Sequence, residues 1–338
     1  AHIKFSFLTG VSKFSKASLF SGLNNLYDIT LDPQYSTICG YTDHDIDTVF
    51  APELEGLDRD RIREWYNGYH WLGEGVYNPF DILQLFRLRT FKNYWFETGT
   101  PTFLVELIRE RQVSTPNLND LSSDDELLSS FDVENITLEA LMFQSGYLTI
   151  KHVENIEGNN FYDLGYPNLE VYQSLNENLL AALVDTPEQG EQSLRLYQLL
   201  LVNDFDGLKD LFHSFFASIP HHWYSNNAIQ SYEGYYASVF YSYFASLGLD
   251  VTVEDATNLG RIDMTLQFNE QVYIFEFKVV ELLPEGNALQ QIKDKQYADK
   301  YRANKHPIHL VGVEFSRDNR NIVAFEVEAA WCHPTDPC

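Results

Sequence analysis

An Asp, a Glu and a Lys fall close together in the stretch GRIDMTLQFNEQVYIFEFKVV, residues 260–280. Two apolar-alternating runs, 261–268 and 271–280, flank a polar turn at Asn269-Glu270, which is a hairpin pattern. In a hairpin symmetric about that turn, Asp263 lies directly opposite Glu276. Opposed side chains on one face stand roughly 5 Å apart at Cβ. Lys278 shares the face of Glu276, because strand side chains alternate with period two. Two like charges at that spacing are unfavourable unless something positive bridges them, and a divalent cation does so most economically. Carboxylate oxygens suit Mg²⁺ or Mn²⁺, which keep waters for reaction. Such an ion lowers the pKa of a bound water and steadies charge on a phosphodiester under attack. Lys278 is placed to orient that water or to steady the phosphorus. Taken one at a time, each of these residues reads better as part of an ion-paired group on an exposed sheet face; the Asp–Glu pairing with the adjacent Lys is what favours the metal.

Holding three polar side chains on one sheet face requires elements on either side of the hairpin. Upstream, residues 232–247 carry Tyr236, Val239, Phe240, Tyr243, Phe244 and Leu247 on one helical face, and Gly248 ends the helix. Strands follow at 251–256, 261–268 and 272–280, then a helix at 287–303, then strands at 308–315 and 322–327. That order describes an α/β layer with a mixed sheet. Glu233 precedes the apolar face by one turn, with Phe240 and Phe244 at i+7 and i+11, so it points towards the sheet. It is either a further carboxylate for the site or a first-turn acid favoured by the helix dipole.

The chain before this layer reads as mostly helical. A buried strand is expected at 3–9 and a short helix at 15–25. Helices are expected at 43–50, with Thr42 as N-cap, and at 57–66. Asn78-Pro79 opens a helix over 80–89 in which Phe80, Leu83 and Phe86 recur at threes. Residues 101–111 form an amphipathic helix. Residues 114–128 are polar and acidic and read as a surface loop or helix start. A second hairpin is expected at 146–153 and 160–164, with helices at 169–183 and 191–201. The segment SIPHHWYSNN, residues 218–227, marks a boundary, giving domains at 1–225 and 226–330 and a tail at 331–338. His221-His222 lie in that linker without a third ligand and read as structural. The Tyr- and Trp-rich segment 65–71 reads as packing rather than a base-stacking platform.

Bulk properties narrow the classes. The 338 residues are 44% hydrophobic and 15% aromatic, enough for packed cores. No run of 18 or more apolar residues exists, so no membrane-spanning segment is expected, and the N-terminal residues lack the pattern of a signal peptide. Cys39, Cys332 and Cys338 have no metal-ligand spacing. Cys332 and Cys338 bracket a loose tail, with free thiols in a reducing cytoplasm the expected state. The net charge of −26 argues against non-specific nucleic-acid binding. The acidity is uneven. Residues 1–30 hold three Lys against one Asp, residues 31–230 hold 11 basic against 32 acidic, and residues 231–338 hold nine basic against 16 acidic. Residues 286–305 are locally basic, with Lys293, Lys295, Lys300, Arg302 and Lys305 against Asp294 and Asp299.

Glu233, the GRID of 260–263, the EFK of 276–278 and the ALQQI of 288–292 together resemble the PD-(D/E)XK nuclease superfamily, in the branch that follows an AAA-ATPase-like region in many bacterial proteins. The resemblance implies a restriction-endonuclease-like α/β core of helix, three strands, helix and strand. It implies metal (Mg²⁺ or Mn²⁺) held by Asp263 and Glu276, with Glu233 as the helix carboxylate. Lys278 becomes the catalytic lysine and Gln291 the polar residue of the second core helix. Ile262 stands where a proline usually precedes the first acid. The implied activity is metal-dependent hydrolysis of phosphodiester bonds, with DNA as substrate. The alternative is an inactive nuclease-fold module that binds nucleic acid or a protein.

Upstream, FLTGVSKFSKASLFSGLNNLYDIT (7–30), WYNGYHW (65–71), VYNPFDIL (76–83), NYWFETGTPTFL (93–104) and FQSGYLTI (143–150) resemble the C-terminal, lid-like part of that ATPase-like region. No G-x-x-x-x-G-K-[ST] loop is found, and no apolar strand ending in paired acids precedes residue 7. ATP hydrolysis is therefore not expected of this chain, which reads as beginning inside the ATPase-like region, either as a fragment or as a relative lacking the front half. A protein partner or homo-oligomer through the N-terminal region is compatible with the resemblance.

Overall fold

A computed structural model describes residues 27–96, 102–111, 113, 115–124, 137–183, 189–218 and 233–331, with Phe5, Phe7 and Thr9. The helix read at 15–25, most of the strand read at 3–9, the linker beyond Ser218 with His221-His222, and the tail with Cys332 and Cys338 lie outside the described residues. In chain order the helices are α1 (Asp43–Thr48), α2 (Arg59–Tyr66), α3 (Pro79–Leu88), α4 (Thr102–Glu110), α5 (Leu138–Gln144), α6 (Leu169–Leu183), α7 (Gln189–Leu201), α8 (Phe205–Ser218), α9 (Glu233–Ser246) and α10 (Asn287–Asp294). The strands are β1 (Leu121–Ser123), β2 (Thr149–Ile156), β3 (Asn159–Gly165), β4 (Asp250–Ala256), β5 (Arg261–Phe268), β6 (Gln271–Val280), β7 (Ile308–Ser316) and β8 (Asn321–Trp331). Among the described residues no helix is long and apolar enough to cross a membrane.

The chain divides into two compact units, one from Ala1–Leu104 and Asn117–Ser174, the other from Val105–Pro116 and Leu175–Cys338. In the first, Ile46, Ile62, Tyr66, Tyr77, Ile82, Leu85 and Tyr94 form the core. Thr42 caps α1 in a reciprocal capping box with Asp45, as its position suggests. Asn78 caps α3 and Pro79 occupies its first turn. The buried face of α3 is Ile82, Leu85 and Phe86, whereas Phe80 and Leu83 are 40% and 50% exposed. Spacing by threes drifts off a 3.6-residue period, and the i, i+3, i+4 set wins. The polar run at 114–128 holds a strand that its composition hides. Here β1 pairs with β3, giving a sheet ordered β1-β3-β2. In the 65–71 segment Tyr66 is fully buried, and Tyr69 stacks on Trp71 at 6.1 Å.

The second unit is built on a five-stranded sheet ordered β4-β5-β6-β7-β8, antiparallel except for the parallel β6–β7 pair. The expected hairpin register holds from Met264↔Phe275 to Phe268↔Gln271. Its turn places Asn269 (φ 50°) and Glu270 (φ 57°) both in the left-handed region, the geometry that matches the twist of a two-residue hairpin. The odd-numbered β6 residues Phe275 and Phe277 face α9, where Phe240 lies 5.1 Å from Phe277. On its other side Phe240 stacks on Phe212 of α8 at 3.8 Å. Sandwiched in this way, α9 is buried on all sides over Val239–Ala245, with Ser242 among its aromatic residues. The opposite sheet face carries Ile262, Val272 and Ile274 against Leu289 and Ile292 of α10. α10 stops at Asp294, short of the expected 303. Gln296 turns left-handed (φ 50°), and the chain continues in 3₁₀ turns that bury Tyr297 and tie its hydroxyl to the Arg261 carbonyl at 2.7 Å.

Candidate active site

Glu276 lies in the middle of β6, where strand alternation turns it onto the α10 face. It is fully buried. Its Oε1 accepts from Lys278 Nζ at 3.0 Å and from Gln291 Nε2. Its Oε2 is buried without a hydrogen-bond partner. An orphaned carboxylate oxygen costs about 1–3 kcal/mol or more when nothing compensates it. Asp263 sits just beyond the last ladder pair of the hairpin, and its Oδ2 accepts the Phe277 amide at 2.8 Å. A side chain thus takes the place of a strand carbonyl, and the Asp263 charge lies near enough to act on Glu276. Lys278 is partly buried, with Nζ 3.7 Å from Glu233 Oε2. Glu233 opens α9 at the rim, half exposed, and its Oε1 accepts from the Val279 amide at 3.4 Å.

The titration behaviour follows from this crowding. Burial first, then the Asp263 charge, pushes the Glu276 carboxyl up to about 7, against the pull of Lys278. Burial also raises Asp263, opposed by the Phe277 amide and Lys278. Burial works against the Lys278 ammonium, but Glu276, Asp263 and Glu233 together hold it above the usual lysine range. The native state therefore binds the Glu276 proton more firmly than the unfolded chain does. The associated stability is present below the ordinary glutamate range and is lost as pH rises to about 7. Metal-free protein is thus expected to lose thermal stability across that window, and Glu276→Gln to remove part of the slope. Melting curves in EDTA from pH 4.5 to 7.5 check this.

One residue that fixes the site lay unnoticed in the sequence. Glu314 of β7 is buried, and its carboxylate accepts from the amides of Glu285 (2.6 Å), Asn287 (2.6 Å) and Ala288 (3.3 Å). It caps α10 from a neighbouring strand, because the N-cap residue Gly286 has no side chain to do so. Gly312, opposite Glu276 in the parallel register, lets α10 come close. A Cβ there would meet the Leu289 amide nitrogen at 2.4 Å. Together these residues set Gln291 against Glu276. An acid inside the apolar run HLVGVEFS is the only sequence trace of this role. The basic character expected over 286–305 is largely neutralised, since Lys293, Lys300 and Arg302 pair with Glu328, Asp255 and Asp299.

Residues 231–325 match the family model described as the PD-(D/E)XK nuclease superfamily. The chain carries a domain of that superfamily. Its mixed sheet, flanked by α9 and α10, agrees with a restriction-endonuclease-like fold. Among curated proteins, the "Uncharacterized protein in vnfD 5'region" of Azotobacter chroococcum mcd 1 is 64% identical over 330 residues, covering 97% of this chain. The chain spans 64% of that relative's length. No solved structure matched it.

The residues fit a divalent cation in one respect and are spare in another. The orphaned Oε2 of Glu276, with the half-buried Asp263 carboxyl near it, is what a hard cation would satisfy. Among the described residues no three His, Cys, Asp or Glu side chains form a group that could hold a metal. A Mg²⁺ ion typically needs only one or two carboxylates, with waters and substrate phosphate completing its shell. Glu233 makes its contacts to Lys278 and the Val279 amide.

Proposed function

We propose that this domain is a metal-dependent nuclease that hydrolyses phosphodiester bonds, with DNA as substrate. The observation that carries the reading is the buried Glu276 carboxyl, with the Lys278 ammonium and the half-buried Asp263 carboxyl beside it, inside a matched superfamily domain. Asp263 and Glu276 would hold Mg²⁺ or Mn²⁺, with Glu233 as a further carboxylate at the rim. The ion, when bound, supplies charge for the phosphate and a more acidic water.

The chain's own residues do the rest. Gln291 and Lys278 fix Glu276 Oε1, leaving Oε2 for the ion. Lys278, held protonated, steadies negative charge on the phosphoryl oxygens rather than removing a proton. In the reaction a water oxygen bonds to phosphorus, one P–O ester bond breaks, and the water proton passes to solvent while the departing oxygen is protonated. The segments before the domain resemble the lid of an AAA-ATPase-like region, and a protein partner or second copy docking there is part of the proposal. Calorimetry with Mn²⁺ tests the metal assignment. Wild type should bind the ion, and Asp263→Ala should lose at least tenfold in affinity. No binding by wild type would instead favour an inactive nuclease-fold module that binds nucleic acid or protein.

A further inference from the structure

A second pair of carboxyls lies in the first unit, apart from the residues assigned above. Asp81 and Glu170 are both fully buried. Asp81 Oδ1 and Oδ2 and Glu170 Oε2 have no hydrogen-bond partner when both groups are written as carboxylates. The two side chains nevertheless stand within hydrogen-bonding reach of each other. Two carboxylates have no donor between them, so this contact is a bond only if one oxygen carries a proton. Among the described residues no Lys, Arg or His forms an ion pair with either acid.

The surroundings favour one negative charge and not two. Asp81 lies in the first turn of α3 and Glu170 in the first turn of α6, so two helix N-termini point at the pair. The Trp95 amide donates to Glu170 Oε1 at 2.7 Å. Those dipoles stabilise a single anion, while a second buried charge a few ångströms away is strongly opposed. The titratable neighbours facing the pair are Tyr66 and Tyr69, both held well above the usual tyrosine range, first by burial, and so neutral. Gly68 (φ +116°) permits the close approach of this segment to the turn that leads into α6, since a Cβ there would meet the Pro167 carbonyl oxygen at 2.0 Å.

We propose that Asp81 and Glu170 form a proton-binding site, holding one shared proton at neutral pH as an O–H···O⁻ clasp between α3, α6 and the Trp95 backbone. Four segments singled out in the sequence or beside it meet here: Tyr69 from WYNGYHW, Asp81 from VYNPFDIL, Trp95 from NYWFETGTP and Glu170 at the start of α6. Their common position is a polar centre within the unit rather than a surface. The site is independent of the nuclease reading. Burial and the facing carboxyl push Glu170 up to about 10 and burial raises Asp81 to about 6, in line with one retained proton.

Infrared spectroscopy of the full chain at pH 8.5 tests the proposal. At that pH ordinary carboxyls are ionised, so a C=O stretch of a neutral carboxylic acid reports a retained proton. Wild type should show that band, and both Asp81→Asn and Glu170→Gln should lack it, because an amide N–H then bridges to the remaining carboxylate. The folding equilibrium, followed by urea unfolding, should weaken about tenfold per pH unit in wild type relative to either variant between about pH 7.5 and 9.5, the linkage of one proton. A wild-type spectrum without the band overturns the proposal, and so does a band that persists in both variants. Parallel stability profiles in wild type and variants do the same. If either variant does not fold, the wild-type band and its loss at higher pH still decide the matter.

Discussion

Lys278→Met is expected to lower the rate of Mg²⁺-dependent DNA cleavage by roughly 10²–10³-fold, the usual cost of removing one preorganised charge at a transition state. Metal affinity should hold or tighten. The Lys278 ammonium stands 3.0 Å from Glu276 Oε1 and 3.7 Å from Glu233 Oε2, so it repels a cation held by the same acids. Removing it lowers that repulsion. Methionine keeps the aliphatic length that packs along the half-buried stem. The pairing of lost cleavage with retained Mn²⁺ binding separates a role on the phosphate from a role in building the site. Single-turnover cleavage and calorimetry on the same preparation measure the two. Cleavage at the wild-type rate would remove Lys278 from the reaction.

Glu314→Ala should be among the most damaging single changes outside the reacting groups. It strips the acceptor from three amides at the start of α10, in a position that is 1% exposed. Losing a helix cap costs about 0.5–2 kcal/mol, and each amide left buried without an acceptor a further ~1–3 kcal/mol. Cleavage should fall as well, because α10 carries Gln291 to Glu276 Oε1. Glu314→Gln keeps an acceptor oxygen and should recover part of both. Urea unfolding followed alongside cleavage reads the two effects, and unchanged stability in Glu314→Ala would mean that water caps this helix adequately.

The C-terminal layer was the most legible part of the chain, for physical reasons. Alternation in 261–268 and 271–280 and the turn at Asn269-Glu270 specify register, since a one-residue slip would turn Glu276 onto the Phe240 face. Helix α9 was legible from its aromatic residues, although their distribution all round signals a sandwiched helix rather than a one-sided one. What was missed depends on contacts distant in sequence. β1 is three residues long and owes its form to pairing with β3. Helix α8 had no counterpart in the sequence reading, and α10 ended early because Tyr297 reaches back to Arg261. Of the residues proposed for the site, Glu276, Lys278 and Gln291 meet, whereas the Asp263 contact is to the Phe277 amide, not across a continued ladder. Glu314 and the Asp81–Glu170 pair were invisible because an isolated acid in an apolar run carries no mark of what it faces.

Incubating the full chain with plasmid and linear DNA, in Mg²⁺ or in EDTA, tests the central claim most directly. Wild type should cleave in Mg²⁺ and not in EDTA, and Glu276→Ala should show no cleavage under either condition. Equal cleavage by wild type and Glu276→Ala would contradict the account, as would cleavage that is indifferent to EDTA.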